Sequence, residues 1–175
     1  MKLTSLLNDK KKDYFYIMHL SYDGADRKHL WECAKENNII GLNHCGIIEH
    51  DWRRERESLK KKNCISEIWA RQLDMFHGMD KDEMGKDDIV VVLDGWSCVL
   101  GIAENLDVCN YDKNRSNCNG YSGGFFGYTR EVEWRKSYEW DKRRSLKNPV
   151  RGFNNTLSKV DKSKKWWTSL VDFDF

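Results

Sequence analysis

Apolar residues fall along this chain in three dense runs, with patterned stretches between them. Residues 14–20, YFYIMHL, are aromatic and β-branched, which predicts a buried strand. Ser21-Tyr22-Asp23-Gly24 is a turn signal. Over 25–38, Leu30, Trp31 and Ala34 recur at helical spacing, and Asn37-Asn38 suits the helix end because Asn tolerates left-handed backbone. IIGL at 39–42 predicts a short strand, and 51–62 a charged helix face. Over 64–77, Ile65, Ile68, Trp69, Leu73 and Phe76 predict a helix with one core-facing stripe. IVVVLDG at 89–95 and CVLGIAE at 98–104 predict a hairpin around Asp94-Gly95. Residues 107–127 read as a long loop rich in Gly, Asn and Tyr. YTREVEWRK at 128–136 alternates and predicts a strand, with Arg130, Val132 and Trp134 on one face and Glu131, Glu133 and Arg135 on the other. Residues 1–12 read as a frayed, flexible lead-in, and 13–175 as a single domain.

The order is strand, helix, short strand, helices, hairpin, long loop, strand, basic tail. Crossover helices do not regularly separate the strands, and no GxGxxG follows one. The expected fold class is therefore α+β, a small mixed α/β barrel with flanking helices, and not a dinucleotide-binding sheet.

Composition narrows the classes. The 175 residues include one proline and 22 Trp, Tyr and Phe. That aromatic content excludes a disordered chain, and the single proline excludes collagen-like and proline-rich chains. No apolar run reaches the roughly 18 residues of a membrane helix. Met1-Lys2-Leu3-Thr4 opens no secretory leader, so a cytoplasmic location is expected. Cys33, Cys45, Cys64, Cys98, Cys109 and Cys118 form no CxxC pair, so reduced thiols and no metal are expected. Trp31, Trp69 and Trp134 read as core.

The net charge of +2 conceals polarity along the chain. Residues 142–165 hold nine Lys and Arg against one Asp, whereas 80–94 hold six acidic groups against two basic ones. A basic segment of this kind can face phosphates, or simply be solvated. Arg143, Arg144, Lys147 and Arg151 are the candidates for positioning a nucleic-acid backbone.

Tyr121, Phe125, Phe126 and Tyr128 cluster among glycines in 120–128. Aromatic faces on such a loop can stack on a nucleobase, worth about 1–3 kcal/mol per base. A duplex base must first be flipped out at a cost of a few kcal/mol. An added methyl gains only about 0.8 kcal/mol by burial, so discrimination also needs shape and unpaired polar groups against the wrong base. The same aromatics would equally serve as anchors packing the loop onto the core.

Four segments together resemble the branch of the PUA-like superfamily that holds EVE and YTH domains, and the modified-base-reading N-terminal domains of McrB-type restriction systems. They are YFYIMHLSY (14–22), NNIIGLN (37–43), DDIVVVLDGWSCVLGIAE (87–104) and GYSGGFFGYTREVEW (120–134). The resemblance covers roughly residues 13–160. It implies a twisted, barrel-like sheet and a non-catalytic reader of a modified, methylated base. Counting back from Trp134, Tyr121 and Phe126 hold the places of the two YTH loop tryptophans, which implies that they stack on the base. His19, Ser21 and Asn43 hold the family's base-edge positions. The chain departs where YTH domains carry a further pocket tryptophan, since residues 40–42 are Ile-Gly-Leu. The implied partner is DNA in a modification-dependent restriction system, with a fused or separate GTPase or nuclease effector. Methylated RNA is the alternative, and neither cofactor nor membrane is implied.

A second class is a Mg²⁺-dependent nuclease built on Glu131, Glu133, Arg135-Lys136 and Asp112. The usual Glu-x-Lys spacing is not met there. His44-Cys45 is a weaker candidate for nucleophilic chemistry.

Overall fold

The computed structural model describes residues 1–20, 27–42, 50–62, 65–79, 83–106, 109–111, 127–150, 156–164 and 166–175. In chain order these form α1 (Leu3–Asp9), β1 (Tyr14–His19), α2 (Arg27–Glu36), β2 (Ile39–Leu42), α3 (Trp52–Lys61), α4 (Glu67–His77), β3 (Ile89–Asp94) and β4 (Cys98–Asn105). There follow β5 (Asn110–Tyr111), β6 (Tyr128–Ser137), a 3-10 turn (Trp140–Lys142), β7 (Arg144–Ser145), β8 (Leu157–Asp161) and α5 (Trp167–Val171).

The eight strands make one curled sheet, a half-barrel, in the order β2-β6-β4-β3-β1-β8, with β5 added on β6 and β7 on β4. β1 and β3 are parallel and every other pairing is antiparallel. This is the mixed α+β, barrel-like class expected from the order of the elements.

Both faces of the sheet are covered, which is why its central strands read as apolar runs. Tyr16, Met18, Val90, Val92 and Leu100 face Trp31, Trp52, Leu73 and Phe76 of α2, α3 and α4. Phe15, Ile17, Val91, Leu93 and Ile102 face Leu3 and Leu7 of α1, Leu170 of α5, and Leu146 and Val150. Gly101 lets two elements approach β4 closely. A Cβ there would sit 2.8 Å from the Lys136 carbonyl oxygen and 3.0 Å from the Trp31 ring. Trp31 uses that space to meet Trp134 edge-on at 5.0 Å and to donate from Nε1 to the Tyr138 carbonyl at 2.8 Å.

The hairpin, the alternation of β6 and the end of α2 follow the sequence expectations. Gly95 turns the hairpin at φ 61, and Asn38 leaves α2 at φ 54. Three expectations are corrected. Residues 3–9 are a helix with buried leucines, where a frayed lead-in was expected, and the Phe175 amide donates to the Met1 carbonyl. The apolar i, i+3, i+4 pattern of Leu3, Leu6 and Leu7 is too short to stand out from its lysines. In α4 the stripe fails at its start: Ile68 and Trp69 are 59% and 40% exposed, because only the later turns lie over the sheet. Cys33 is disulfide-bonded rather than reduced, while Cys98 and Cys109 are free thiols. Among the described residues, no helix is long and apolar enough to cross a membrane.

Candidate functional site

Parallel pairing makes β1 and β3 finish at the same end of the sheet, with His19 opposite Leu93. The chain then turns at Gly95, Trp96 and Ser97 into β4. The His19 ring is 4% exposed and hydrogen-bonded to the Gly95 backbone. Burial lowers its pKa to about 4 against the pull of that bond, so the imidazole is neutral at pH 7.

The basic segment is fastened to the same turn. The Leu146 amide donates to the Ser97 carbonyl at 2.6 Å and the Val150 amide to the Trp96 carbonyl at 2.8 Å. β7 pairs with the start of β4, Ser145 opposite Cys98. Asp94 ion-pairs with Arg27 at 2.8 Å and with Arg143 at 3.1 Å. Arg143 also lies over the Trp140 ring, 4.6 Å from its centroid. Arg144 donates to the Asp174 carbonyl at 2.7 Å and covers Phe173. Lys142 and Lys147 are exposed, and the Trp96 side chain is 48% exposed.

Of the expected site residues, His19, Arg143, Arg144 and Lys147 are thus gathered around one turn. Ser21, Asn43, Tyr121, Phe126 and Arg151 lie outside the described residues, as do Asp112 and the His44-Cys45 pair. Leu42, the last residue of β2, pairs with Tyr128, the first of β6.

That β2–β6 corner holds a cluster the sequence reading missed. Tyr128 donates to the His50 carbonyl at 2.5 Å and packs against His77 at 4.9 Å and Tyr111 at 5.3 Å. Arg130, 2% exposed, donates from Nε to the Phe76 carbonyl at 2.6 Å, and Arg53 donates to the His77 carbonyl at 2.9 Å. Two guanidiniums therefore serve the last carbonyls of α4, where the helix dipole is negative, and Gly78 closes the helix at φ 68. Burial, with the two arginines, lowers the His77 pKa to about 4. Burial pushes the Cys109 thiol, 3.8 Å from His77 Nε2, up to about 12. A cavity of about 230 Å³ lies among Arg53, His77, Glu83, Lys86 and Arg130. The legible signal was Arg130 itself, which alternates with Val132 and Trp134 and so belongs to the inward face of β6.

Of the carboxylates of the nuclease alternative, Glu133 is engaged by an arginine. Glu131 and Glu133 point outward, as the alternation expects, and Glu133 pairs with Arg135 at 2.8 Å. The same guanidinium grips Glu104 at 2.6 and 2.9 Å, and Lys10 also reaches Glu104. Burial would raise the Glu104 pKa, yet these two cations hold it below the usual range. Among the described residues, no three His, Cys, Asp or Glu side chains gather in a way that would hold a metal ion. Compared with known protein families and with curated proteins, the chain matches no family model and no curated protein.

Proposed function

We propose that this chain is a non-catalytic nucleic-acid-binding module that reads a modified base, flipped out of the stack into an aromatic pocket. Duplex DNA in a modification-dependent restriction or defence system is the favoured partner, with a GTPase or nuclease as effector. The observation that carries this reading is the gathering at the β3–β4 turn. The end of β1, an exposed tryptophan and a fastened stretch of cations share one end of the sheet, where stacking and phosphate contacts can act together. The curled mixed sheet, with β1 and β3 parallel at its centre, supports the resemblance to EVE and YTH domains.

In this reading Tyr121 and Phe126 stack on the base, and Ser21 and Asn43 meet its edge. His19, neutral and tied to Gly95, holds the end of β1 against the β3–β4 turn. Lys147 and Arg144 hold the phosphates, and Arg143 acts through its ion pair with Asp94.

The test is a binding panel of oligonucleotides that differ only in one base modification, in DNA and in RNA. A preference for one modification, lost in Tyr121→Ala and Phe126→Ala, is the expected result. Equal affinity for all members, with both variants silent, would leave only phosphate binding. Magnesium-dependent cutting that Glu133→Gln abolishes would replace the reader with a nuclease.

A further inference from the structure

We infer that the cavity at the β2–β6 corner binds a dianionic phosphate group, as free phosphate or as a terminal phosphate monoester. The corner lies at the end of the sheet opposite the β3–β4 turn, and the inference does not rest on the base-reading function proposed above.

Three observations carry it. The first is charge. Arg53, Lys86 and Arg130 line the cavity, against Glu83 as the acidic residue among its described lining. Arg53 and Lys86 form no ion pair with a described carboxylate. The positive field reaches the cavity wall. After burial, Arg53 and Arg130 lower the His77 pKa to about 4, and burial with Arg53 lowers that of Arg130. An anion among these groups would relieve both. The second is that the end of α4 does not consume this charge. Its last four carbonyls all accept bonds: Asp74 from the Met79 amide, Met75 from the Gly78 and Met84 amides, Phe76 from Arg130 and His77 from Arg53. The negative end of the helix is thus satisfied, and Arg53 spends a hydrogen bond on a neutral carbonyl while its charge stays whole.

The third is an orphaned atom. His77 is 3% exposed and lines the cavity, yet its Nδ1 has no hydrogen-bond partner. A buried polar atom left unpaired is costly, so it points to a missing partner. Phosphate offers acceptor oxygens and, while partly protonated, a donor, so it satisfies Nδ1 in either tautomer. Size agrees as well. The volume of about 230 Å³ is below the roughly 300–1,000 Å³ of sites that enclose a whole cofactor, and so suits one anionic group. A phosphate monoester carries about −1.5 to −2 at pH 7, which matches Arg53 and Lys86 together. A backbone diester carries only about one negative charge.

The experiment titrates inorganic phosphate into the isotope-labelled chain at constant ionic strength, with NMR shifts as the readout. Saturable shifts at the Arg53, Gly78 and Lys86 amides and at the His77 ring are expected, with a Kd of about 1 mM or tighter. Arg53→Gln should weaken binding by about 10- to 150-fold, the range of one charge-assisted hydrogen bond. Because Arg53 also fastens α4, Lys86→Gln serves as the second variant. Its position is exposed, and a loss of about two- to fivefold on an unchanged fold is expected. Lys28→Gln, at an exposed lysine of α2, should bind phosphate like wild type. Two further probes separate the sources: one oligonucleotide with a 5′-phosphate and the same one with a 5′-hydroxyl. Displacement of phosphate by the first alone makes the ligand a nucleic-acid end, and displacement by neither makes it a free or small-molecule phosphate. Equal displacement by both would overturn the dianion site in favour of backbone contacts. Shifts that follow ionic strength alone, or Arg53→Gln and Lys86→Gln that bind like wild type, would overturn it as well.

Discussion

Arg130 and Lys147 are both cations at the margin of one sheet, yet they are placed in opposite ways. Arg130 is buried and bonded to the end of α4, beside His77, Cys109 and Tyr128. Lys147 faces water beside Trp96. At the β2–β6 corner, polar groups are turned inward to satisfy one another and fasten helices to strands. Asp74 shows the same pattern: it accepts from Trp52, Arg56 and Lys60 and so ties α3 to α4. At the β3–β4 turn, only part of the charge is consumed internally and the remainder stays outside. A cluster of charge in a sequence thus has two fates, and burial separates the structural one from the one open to a partner.

Changes that break this contrast should differ in what they damage. The largest effect is expected from Arg130→Ala, which loses a buried hydrogen bond, the contact with Phe76 and a large side-chain volume. A loss of about 2–4 kcal/mol in urea unfolding is expected, with little change in nucleic-acid affinity for the fraction that remains folded.

The buried histidines sharpen the contrast through pH. His19 and His77 both have folded pKa values of about 4, below the ordinary histidine value of 6.5. Between those values the unfolded chain binds more protons, so stability is fully present above pH 6.5 and declines as pH falls toward 4. The slope of unfolding free energy with pH should correspond to about two protons near pH 5. His77→Gln should remove about one of them while leaving the turn's binding behaviour unchanged.

At the turn the effects should appear in binding rather than folding. Affinity should fall steeply with salt, and Lys147→Gln should reduce the slope of log K against log salt by about one. A flat salt response would move the cations of 142–147 to the same structural role as Arg130. The smallest effect is on stability at the exposed indole: Trp96→Ala should change unfolding free energy by no more than about 0.5 kcal/mol. A larger loss would mean that Trp96 packs as core.

Much of the frame was legible because strands and hairpins declare themselves locally. The runs 14–20 and 89–95, the Asp94-Gly95 turn and the alternation of 128–136 each carry their own period and turn chemistry. The site was legible only as residue types. The sequence named His19 and the cations at 143–147 as functional, yet nothing in their spacing says that Leu146 and Val150 clamp the hairpin turn between them. Trp69 shows the reverse error, since a helical stripe reports which residues share a face but not how far the opposing sheet extends.

The sequence by itself determined the central strands, the hairpin, the class of fold and the uneven distribution of charge, because period, propensity and turn residues act over a few neighbours. Only the tertiary structure decided which charges are spent at helix ends and which face outward, and which stretch of chain clamps the hairpin turn. Those outcomes depend on contacts between residues more than fifty positions apart, such as Phe76 with Arg130 and Trp96 with Val150. Burial is a property of the assembled molecule: it makes Arg130 a brace and leaves Trp96 and Lys147 a surface.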